Sequence, residues 1–393
     1  MPIFQPELET MPRSELEELQ ARRLRERFGV DLEALAQQPF ATKSQLRDAY
    51  PFGLLRVPLS DCVRVHGSSG TRGKATIVAY TRNDIAVWAD CCARAIAAAG
   101  GDVGTVVHIA YGYGLFTGGL GLHYGAERLG CTVVPASVGN TQRHVQLLED
   151  LGAEILCCTP SYALTIADHV EDPSRLRLRA GVFGAEPWTE GLREAIEQAF
   201  GLTAVDIYGL SEIIGPGVSA ECVEARAGAH INEDHFLVEV VDPGSGESVP
   251  DGEVGELVFT TLTKEALPFL RYRTGDLASV TREPCACGRT SARMSRIVGR
   301  TDDMLIIRGV NVFPSEVERV LLGISGLEPH YQLVVERPHR LDELTVLVEG
   351  DASAGDVQSQ LSHALGVNAR VEVLRAGSLP RSEGKALRVI DKR

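Results

Sequence analysis

The sequence predicts an α/β protein in two parts: a large N-terminal domain of βαβ layers with a barrel-like region, and a small α+β C-terminal domain. Three observations predict it. Apolar strands alternate with helical segments from about residue 84 to residue 209, at the spacing of βαβ units. Past His230 the strands instead alternate apolar and polar residues around a Pro/Gly/Asp/Ser turn. From Thr301 strand and helix patterns mix again, and a chain of 393 residues exceeds one ordinary core. The domains are expected to span residues 1–300 and 301–393.

Taken in order, Ser14-x-x-Glu17 reads as a capping box opening a charged helix with Leu16, Leu19 and Leu24 on one side, ended at Gly29. A second short helix is expected over Lys43–Asp48, before Pro51. A glycine-rich loop follows, then a helix over residues 84–99 and a buried strand in "TVVHIAY" (105–111). "GLHYGAERLG" gives a helix, "CTVVPA" a strand, "TQRHVQLLEDLG" a helix and "AEILCCT" a strand, and "AGVFGAE" and "AVDIYG" repeat the theme. Continuous apolar strands of this kind belong to a covered parallel sheet. "HFLVEVV" and "GELVFTTL" read as antiparallel strands. The last segment offers strands in "DMLIIRG", "HYQLVVER", "LTVLVEG" and "ARVEVLR", and helices in "SEVERVLLGI" and "DVQSQLSHALG".

Composition narrows the function. A formal charge of −14 argues against a nucleic-acid partner, whose phosphates call for a basic surface. The polar N-terminal stretch does not read as a signal peptide. The apolar region 95–125 is glycine-rich and holds Asp102, His108 and His123, a poor membrane span. A soluble cytoplasmic protein with no membrane partner is expected. Nine cysteines, with Cys91-Cys92 and Cys157-Cys158 adjacent, fit reduced thiols.

"VHGSSGTRGKATIVAYT" (65–81) has the look of a nucleotide loop. It is not a Walker loop: five residues separate Gly67 from Gly73, and Ala75 follows Lys74 where a hydroxyl should ligate Mg²⁺. Ser68, Ser69, Gly70, Thr71, Arg72, Gly73 and Lys74 still offer backbone N–H groups, three hydroxyls and two cations, which suit an oxyanion. Taken alone, the loop fits an ordinary surface turn equally well.

Downstream stand "IYGLSE" (207–212), "YRTGD" (272–276), "GRTDDMLIIRGVNVFPSEVE" (299–318) and "LPRSEGKALRVIDKR" (379–393). In this order, with the loop, they resemble the adenylate-forming, or acyl-CoA synthetase, superfamily. "AYGYGLFTGGLGLHYGAERLG" (110–130), "GAEPW" (184–188) and "LTKEALPFLRYRTGDL" (262–277) bring the resemblance to the phenylacetate–CoA ligases, over nearly the whole chain. That resemblance implies an adenylate-forming N-terminal domain, a mobile C-terminal domain, and ATP, Mg²⁺ and CoA as the groups handled.

It also implies roles. The glycine-rich loop would hold the ATP phosphates. Glu212 would coordinate Mg²⁺, as a hard cation favours carboxylate oxygen. Gly184, Ala185, Glu186 and Pro187 with Tyr208, Gly209 and Ser211 would wall the adenine site, with Asp206 nearby. Asp276 would take the ribose hydroxyls, being able to accept two hydrogen bonds, and Arg300 would help hold ribose and phosphate. Lys385 would be the catalytic lysine of adenylation, since a cation near the transferring oxygens stabilises the transition state. Asp302 would be the hinge of the C-terminal domain, and Gly309 would line the CoA tunnel. Tyr111 and Phe116, with Ile213 and Ile214, would form the aromatic-acid pocket.

Cys285-x-Cys287, with Cys222 and His230 upstream, is a Cys₃His set of the kind that holds structural zinc, and His235 is a competing fourth ligand. Three departures stand out. Arg72 replaces the family's usual Thr, Ala75 replaces a frequent Pro, and "RERFGVDLEALAQQPFATK" (25–43) runs straight through where relatives carry an extra helical segment. The shortened surface bears on a dimer contact or an entrance. The expected function is an ATP-dependent ligase joining a phenylacetate- or benzoate-like acid to CoA. A second reading passes the acyl group to a carrier-protein thiol or an amine. A third, a zinc-stabilised binding protein without activity, would require erosion of Glu212, Asp276 or Lys385, and all three are present.

Overall fold

A computed structural model describes residues 2–68, 76–301, 303–308, 310–338, 341–381 and 387–393, with Asn311 described by its backbone alone. The apolar runs of the first half assemble into a nine-stranded sheet. Its parallel part runs Thr132–Val134, Val106–Ile109, Ile155–Cys158, Ala180–Gly184 and Thr203–Leu210. Both faces are covered. Ile155 and Cys157 pack with Ile96 and Leu122 of two helices, while Leu156 and Cys158 pack with Leu192 and Ile196 of another. That two-sided burial is why these strands read as unbroken apolar runs.

Beyond Thr203–Leu210 the sheet changes sense, and Gly215–Ala220, Ala229–Ile231, Arg293–Met294 and Val280–Thr281 join antiparallel. The barrel-like region takes the form of a separate antiparallel sheet of Phe236–Val241, Gly255–Thr261, Tyr272–Ala278 and Gly299–Arg300. A hairpin of Cys62–Gly67 and Ile77–Thr81 precedes both sheets and flanks the glycine-rich loop.

The small C-terminal domain orders its strands Arg370–Leu374, Glu343–Gly350, Leu327–Glu336 and Val389–Asp391. Helices Pro314–Leu322 and Ala354–Leu365 close its own core, which contains Val317, Leu333, Val346 and Leu361. It touches the large domain through Leu322, which packs against the core cluster of Leu192 and Ile196, and through polar groups. The Thr189 N–H donates to Glu318 Oε1 at 3.2 Å, and Arg381 Nε lies 3.5 Å from Asp168 Oδ2.

One local expectation is corrected. The first long helix is Arg13–Phe28, with Pro12 at its N-cap and no side-chain cap, so Ser14 lies inside the first turn. Glu17, which a capping box would turn back to the backbone, instead accepts from Arg13 Nε at 2.9 Å. The other end is as expected: Gly29 closes the helix at φ 67°, where L side chains are strained, and Leu16, Leu19 and Leu24 are buried.

Buried under the sheet edge, His108 Nε2 and His144 Nδ1 lie 2.8 Å apart. Burial, with the neighbouring His144, pushes His108 down to about 3, and burial lowers His144 too. An unfolded histidine titrates near 6.5, so between these values the unfolded chain binds more protons than the folded one. The stability tied to His108 is therefore fully present above pH 6.5 and is lost as pH falls toward 3, by about 1.4 kcal/mol per pH unit. Thermal unfolding followed from pH 7 to 4 is expected to show a falling Tm, and His108→Gln a shallower fall. Equal slopes would count against this assignment.

Candidate active site and a thiol-rich metal centre

The hairpin sets the first wall. The Ser68 N–H donates to Thr76 O at 3.0 Å, closing the base of the glycine-rich loop, and among the described residues neither Ser68 Oγ nor Thr76 Oγ1, both buried, has a hydrogen-bond partner. Unsatisfied buried hydroxyls are rare and mark a place where a polar group can dock. One residue back, the Gly67 N–H donates to Leu115 O at 2.9 Å, and His66 Nδ1 meets the same carbonyl at 3.0 Å. The loop base is thereby tied to the aromatic loop that carries Tyr111 and Phe116, whose ring centroids are 6.3 Å apart. Tyr111 is buried, whereas Phe116 is partly exposed.

Thr117 Oγ1 continues the chain of contacts to Ser211 Oγ at 3.3 Å. The turn Ser211 to Ile214 follows strand Thr203–Leu210, at a point where Gly209 is forced: a Cβ there would stand 1.8 Å from Gly215 O. Ile213 and Ile214 are buried in the core cluster that also contains Tyr80, Trp88 and Tyr208. Glu212 is 3% exposed, and among the described residues its Oε1 has no hydrogen bond. Lys43 Nζ lies 3.3 Å from that oxygen as an ion pair without hydrogen-bond alignment. An ionic carboxylate oxygen lacking a hydrogen-bond donor fits a cation ligand, so Glu212 is able to hold Mg²⁺.

The third part centres on Asp276, in strand Tyr272–Ala278. Tyr208 Oη donates to Asp276 Oδ2 at 2.7 Å, and Arg300 pairs with Oδ1 while donating to Thr274 O at 3.2 Å. Asp276 and Arg300 are register partners across neighbouring strands, which fixes the pairing. Burial and the adjoining carboxylate push the Tyr208 phenol well above its usual range, so it remains a donor. Beside it, Gly184 is register partner to Ile207, and a Cβ on it would stand 2.0 Å from Ile207 O. Ala185 follows at φ 72°, Glu186 Oε1 accepts from the Ser161 N–H at 2.7 Å, and Pro187 is exposed. Asp206 is joined to this turn through Trp188. It accepts from Trp188 Nε1 at 3.0 Å, and burial, with neighbouring Glu221, pushes it up to about 6. It braces the wall from behind.

Ser69, Gly70, Thr71, Gly73, Lys74, Asp302, Gly309 and Lys385 lie outside the described residues. Sequence reasoning missed Lys43, Tyr80, Thr117 and Lys264, all of which touch the Ser211 to Glu212 turn or its carboxylate.

The thiol-rich centre is separate. Ligand atoms of Cys222, His230, Cys285 and Cys287 all lie within 4.8 Å of one another. Cys222 Sγ and Cys285 Sγ are 3.8 Å apart, and Cys287 Sγ is 3.3 Å from His230 Nε2. A tetrahedral zinc with sulfurs at about 2.3 Å separates them by about 3.8 Å, so the donor set fits. The Cys222–Cys287 hydrogen bond lowers the Cys287 thiol and raises that of Cys222, so the two thiols share one proton strongly. His235 is excluded from the set: its Nδ1 faces Thr263 Oγ1 at 2.9 Å and its Nε2 faces Asp234 at 3.1 Å.

This architecture, a carboxylate–tyrosine–arginine cluster and an acid-bearing turn beside an aromatic loop, has close counterparts. Residues 13–262 match the AMP-binding enzyme family, and residues 309–393 match the AMP-binding enzyme C-terminal domain. A phenylacetate–coenzyme A ligase of Thermus thermophilus is 51% identical, with all of both chains covered. One of Escherichia coli K12 is 52% identical over 92% of this chain and 86% of its own. This chain belongs to the phenylacetate–coenzyme A ligase family of AMP-binding enzymes. The Thermus alignment runs over 443 positions against 393 residues here, so this chain is the shorter.

A solved 2-hydroxyisobutyryl-CoA ligase, in the postadenylation state with R3-HIB-AMP, is 30% identical, with 99% of this chain and 92% of that one covered, at a TM-score of 0.89. The same enzyme in its thioesterification state, with 2-HIB-AMP and CoA, gives 0.71 over 98% of this chain and 91% of that one. Among the described residues no helix is long and apolar enough to cross a membrane.

Proposed function

We propose that this chain is an AMP-forming ligase that adenylates phenylacetate, or a closely similar aryl acid, and passes the acyl group to CoA. The observation that carries it is the Thr117–Ser211 contact, which joins the aromatic loop to the turn bearing Glu212, next to the Tyr208–Asp276–Arg300 cluster. An acid held against Tyr111 and Phe116 would present its carboxylate toward that turn. Asp276 would receive the ribose hydroxyls, and Glu212 would hold Mg²⁺, which neutralises phosphate charge when bound. Lys385 would stabilise the charge that develops as the carboxylate attacks the α-phosphate. Asp302, just past a domain boundary placed between residues 300 and 301, would serve as hinge, and Gly309 would leave room for the CoA thiol to enter. Reduced cysteines suit a cytoplasmic enzyme.

Pyrophosphate release with phenylacetate, benzoate, anthranilate and hydroxybenzoate tests the substrate assignment. Phenylacetate is expected to give the highest kcat/KM. A strong preference for another acid would reassign the pocket, and adenylate formation without thioester would favour a carrier-protein or amine acceptor.

The Cys₃His centre is assigned to one structural zinc, which would join Cys222, after strand Gly215–Ala220, to the Cys285 to Cys287 turn. Metal analysis is expected to find about one zinc per chain. A strong chelator is expected to lower Tm by about 10 °C or more, since structural zinc contributes folding energy directly. A zinc-free protein with unchanged Tm would remove the assignment.

A further inference from the structure

Lys264 stands between strands Gly255–Thr261 and Tyr272–Ala278 and is 1% exposed, an unusual setting for an ammonium group. Such a charge is costly to bury unless partners compensate it. Its segment is fixed first: Asp84, in the opening turn of helix Arg82–Ala98, accepts from the Glu265 N–H at 2.6 Å and the Ala266 N–H at 3.0 Å. The Lys264 side chain then crosses the Tyr80 ring, with Nζ 5.1 Å from its centroid, and donates to the main-chain oxygen of Glu212 at 2.7 Å. Tyr80 Oη donates to the preceding carbonyl, Ser211 O, at 3.0 Å. Two buried donors from separate segments therefore hold two successive carbonyls of one short turn.

What they leave alone matters equally. Lys264 takes the Glu212 backbone rather than its carboxylate, whose Oε1 carries no hydrogen bond among the described residues. The cation beside that oxygen is Lys43, 37% exposed and so able to withdraw toward solvent. We propose that Lys264 is a positioning residue for the metal step: its ammonium, with Tyr80, clamps the Ser211 to Glu212 backbone so that the Glu212 carboxylate is held ready for Mg²⁺. This rests on the reading of Glu212 as the magnesium ligand. Burial pulls Lys264 down to about 8 against the opposing pull of Asp84 and Glu212, so at neutral pH it still carries its charge.

The test is the Mg²⁺ dependence of pyrophosphate release at fixed ATP and phenylacetate, for the wild type, Lys264→Met, Tyr80→Phe and Glu212→Gln. Losing a charge-assisted bond at the turn is expected to raise the Mg²⁺ concentration for half-maximal rate about tenfold or more in Lys264→Met. Tyr80→Phe is expected to shift it about threefold in the same direction, which keeps the test open if the lysine variant does not fold. A purely structural Lys264 would lower Tm and the active fraction with the half-saturation unchanged, and that result would overturn the proposal. Glu212→Gln separates the two layers. If it leaves the Mg²⁺ requirement untouched, the Glu212 assignment falls and takes this inference with it. If it alone shifts the requirement, only the role of Lys264 is lost.

Discussion

Lys385→Ala is expected to lower the rate of acyl-adenylate formation by about 10² to 10³, the usual loss when one preorganised donor to a developing charge is removed. Adenylation brings a carboxylate onto the α-phosphate, and the negative charge on the transferring oxygens grows along the path. A cation aimed there acts on the transition state more than on bound substrate, so kcat should fall more than KM rises. The chain leading to the lysine is anchored: Arg381 pairs with Glu349 at 2.9 Å and reaches Asp168 of the large domain at 3.5 Å. The second half-reaction needs no such cation. Thioester formation from supplied phenylacetyl-adenylate and CoA is expected to stay within about threefold of the wild type. Stopped-flow assay of each half-reaction checks both parts, and equal loss in both would show a general structural defect.

Asp276→Asn is expected to raise KM for ATP about 10²-fold while changing kcat little. The carboxylate accepts from Tyr208 and Arg300, and as an acceptor on both oxygens it has the chemistry to take ribose hydroxyls. An amide keeps one oxygen acceptor, turns the other end into a donor, and removes the carboxylate that pairs with Arg300 Nη1, leaving only the more distant Asp303 at 3.5 Å of the two carboxylates seen beside it. Bonds to charged groups contribute about 1.5–3 kcal/mol each, so the loss of more than one reaches the stated factor. Because ribose is held alike in ground and transition states, the deficit belongs to binding. Steady-state kinetics against ATP tests this, and an unchanged KM would remove Asp276 from the nucleotide site.

The candidate site was read through the family resemblance, whose motifs are short and chemically distinctive. "YGLSE" and "YRTGD" each put a recognisable acid beside a tyrosine, and the fold brings Tyr208 and Asp276 together from 68 positions apart. Cys285 and Cys287 announced a turn, and the antiparallel turn of the sheet carried Cys222 and His230 to them. The helix Lys43–Asp48 was readable to the residue. Capping at Ser14 was misread because Pro12 and an Arg13–Glu17 pair decide that end, a competition between neighbours that pattern alone does not rank. Lys43, Tyr80 and Lys264 act through tertiary contacts with a distant turn. For Lys264 one signal was available: a single cation inside the apolar run "VFTTLTKEALPFL", where a solvated lysine has no reason to be. The change from parallel to antiparallel beyond Thr203–Leu210 left no comparable trace, since its strands are apolar on either side.

The most direct measurement is product analysis after incubating the protein with MgATP and phenylacetate, with and without CoA. The expected result is phenylacetyl-CoA and AMP in equal amounts when CoA is present, and enzyme-bound phenylacetyl-adenylate with pyrophosphate when it is absent. Formation of ADP, or of AMP with no acyl product under either condition, would contradict it.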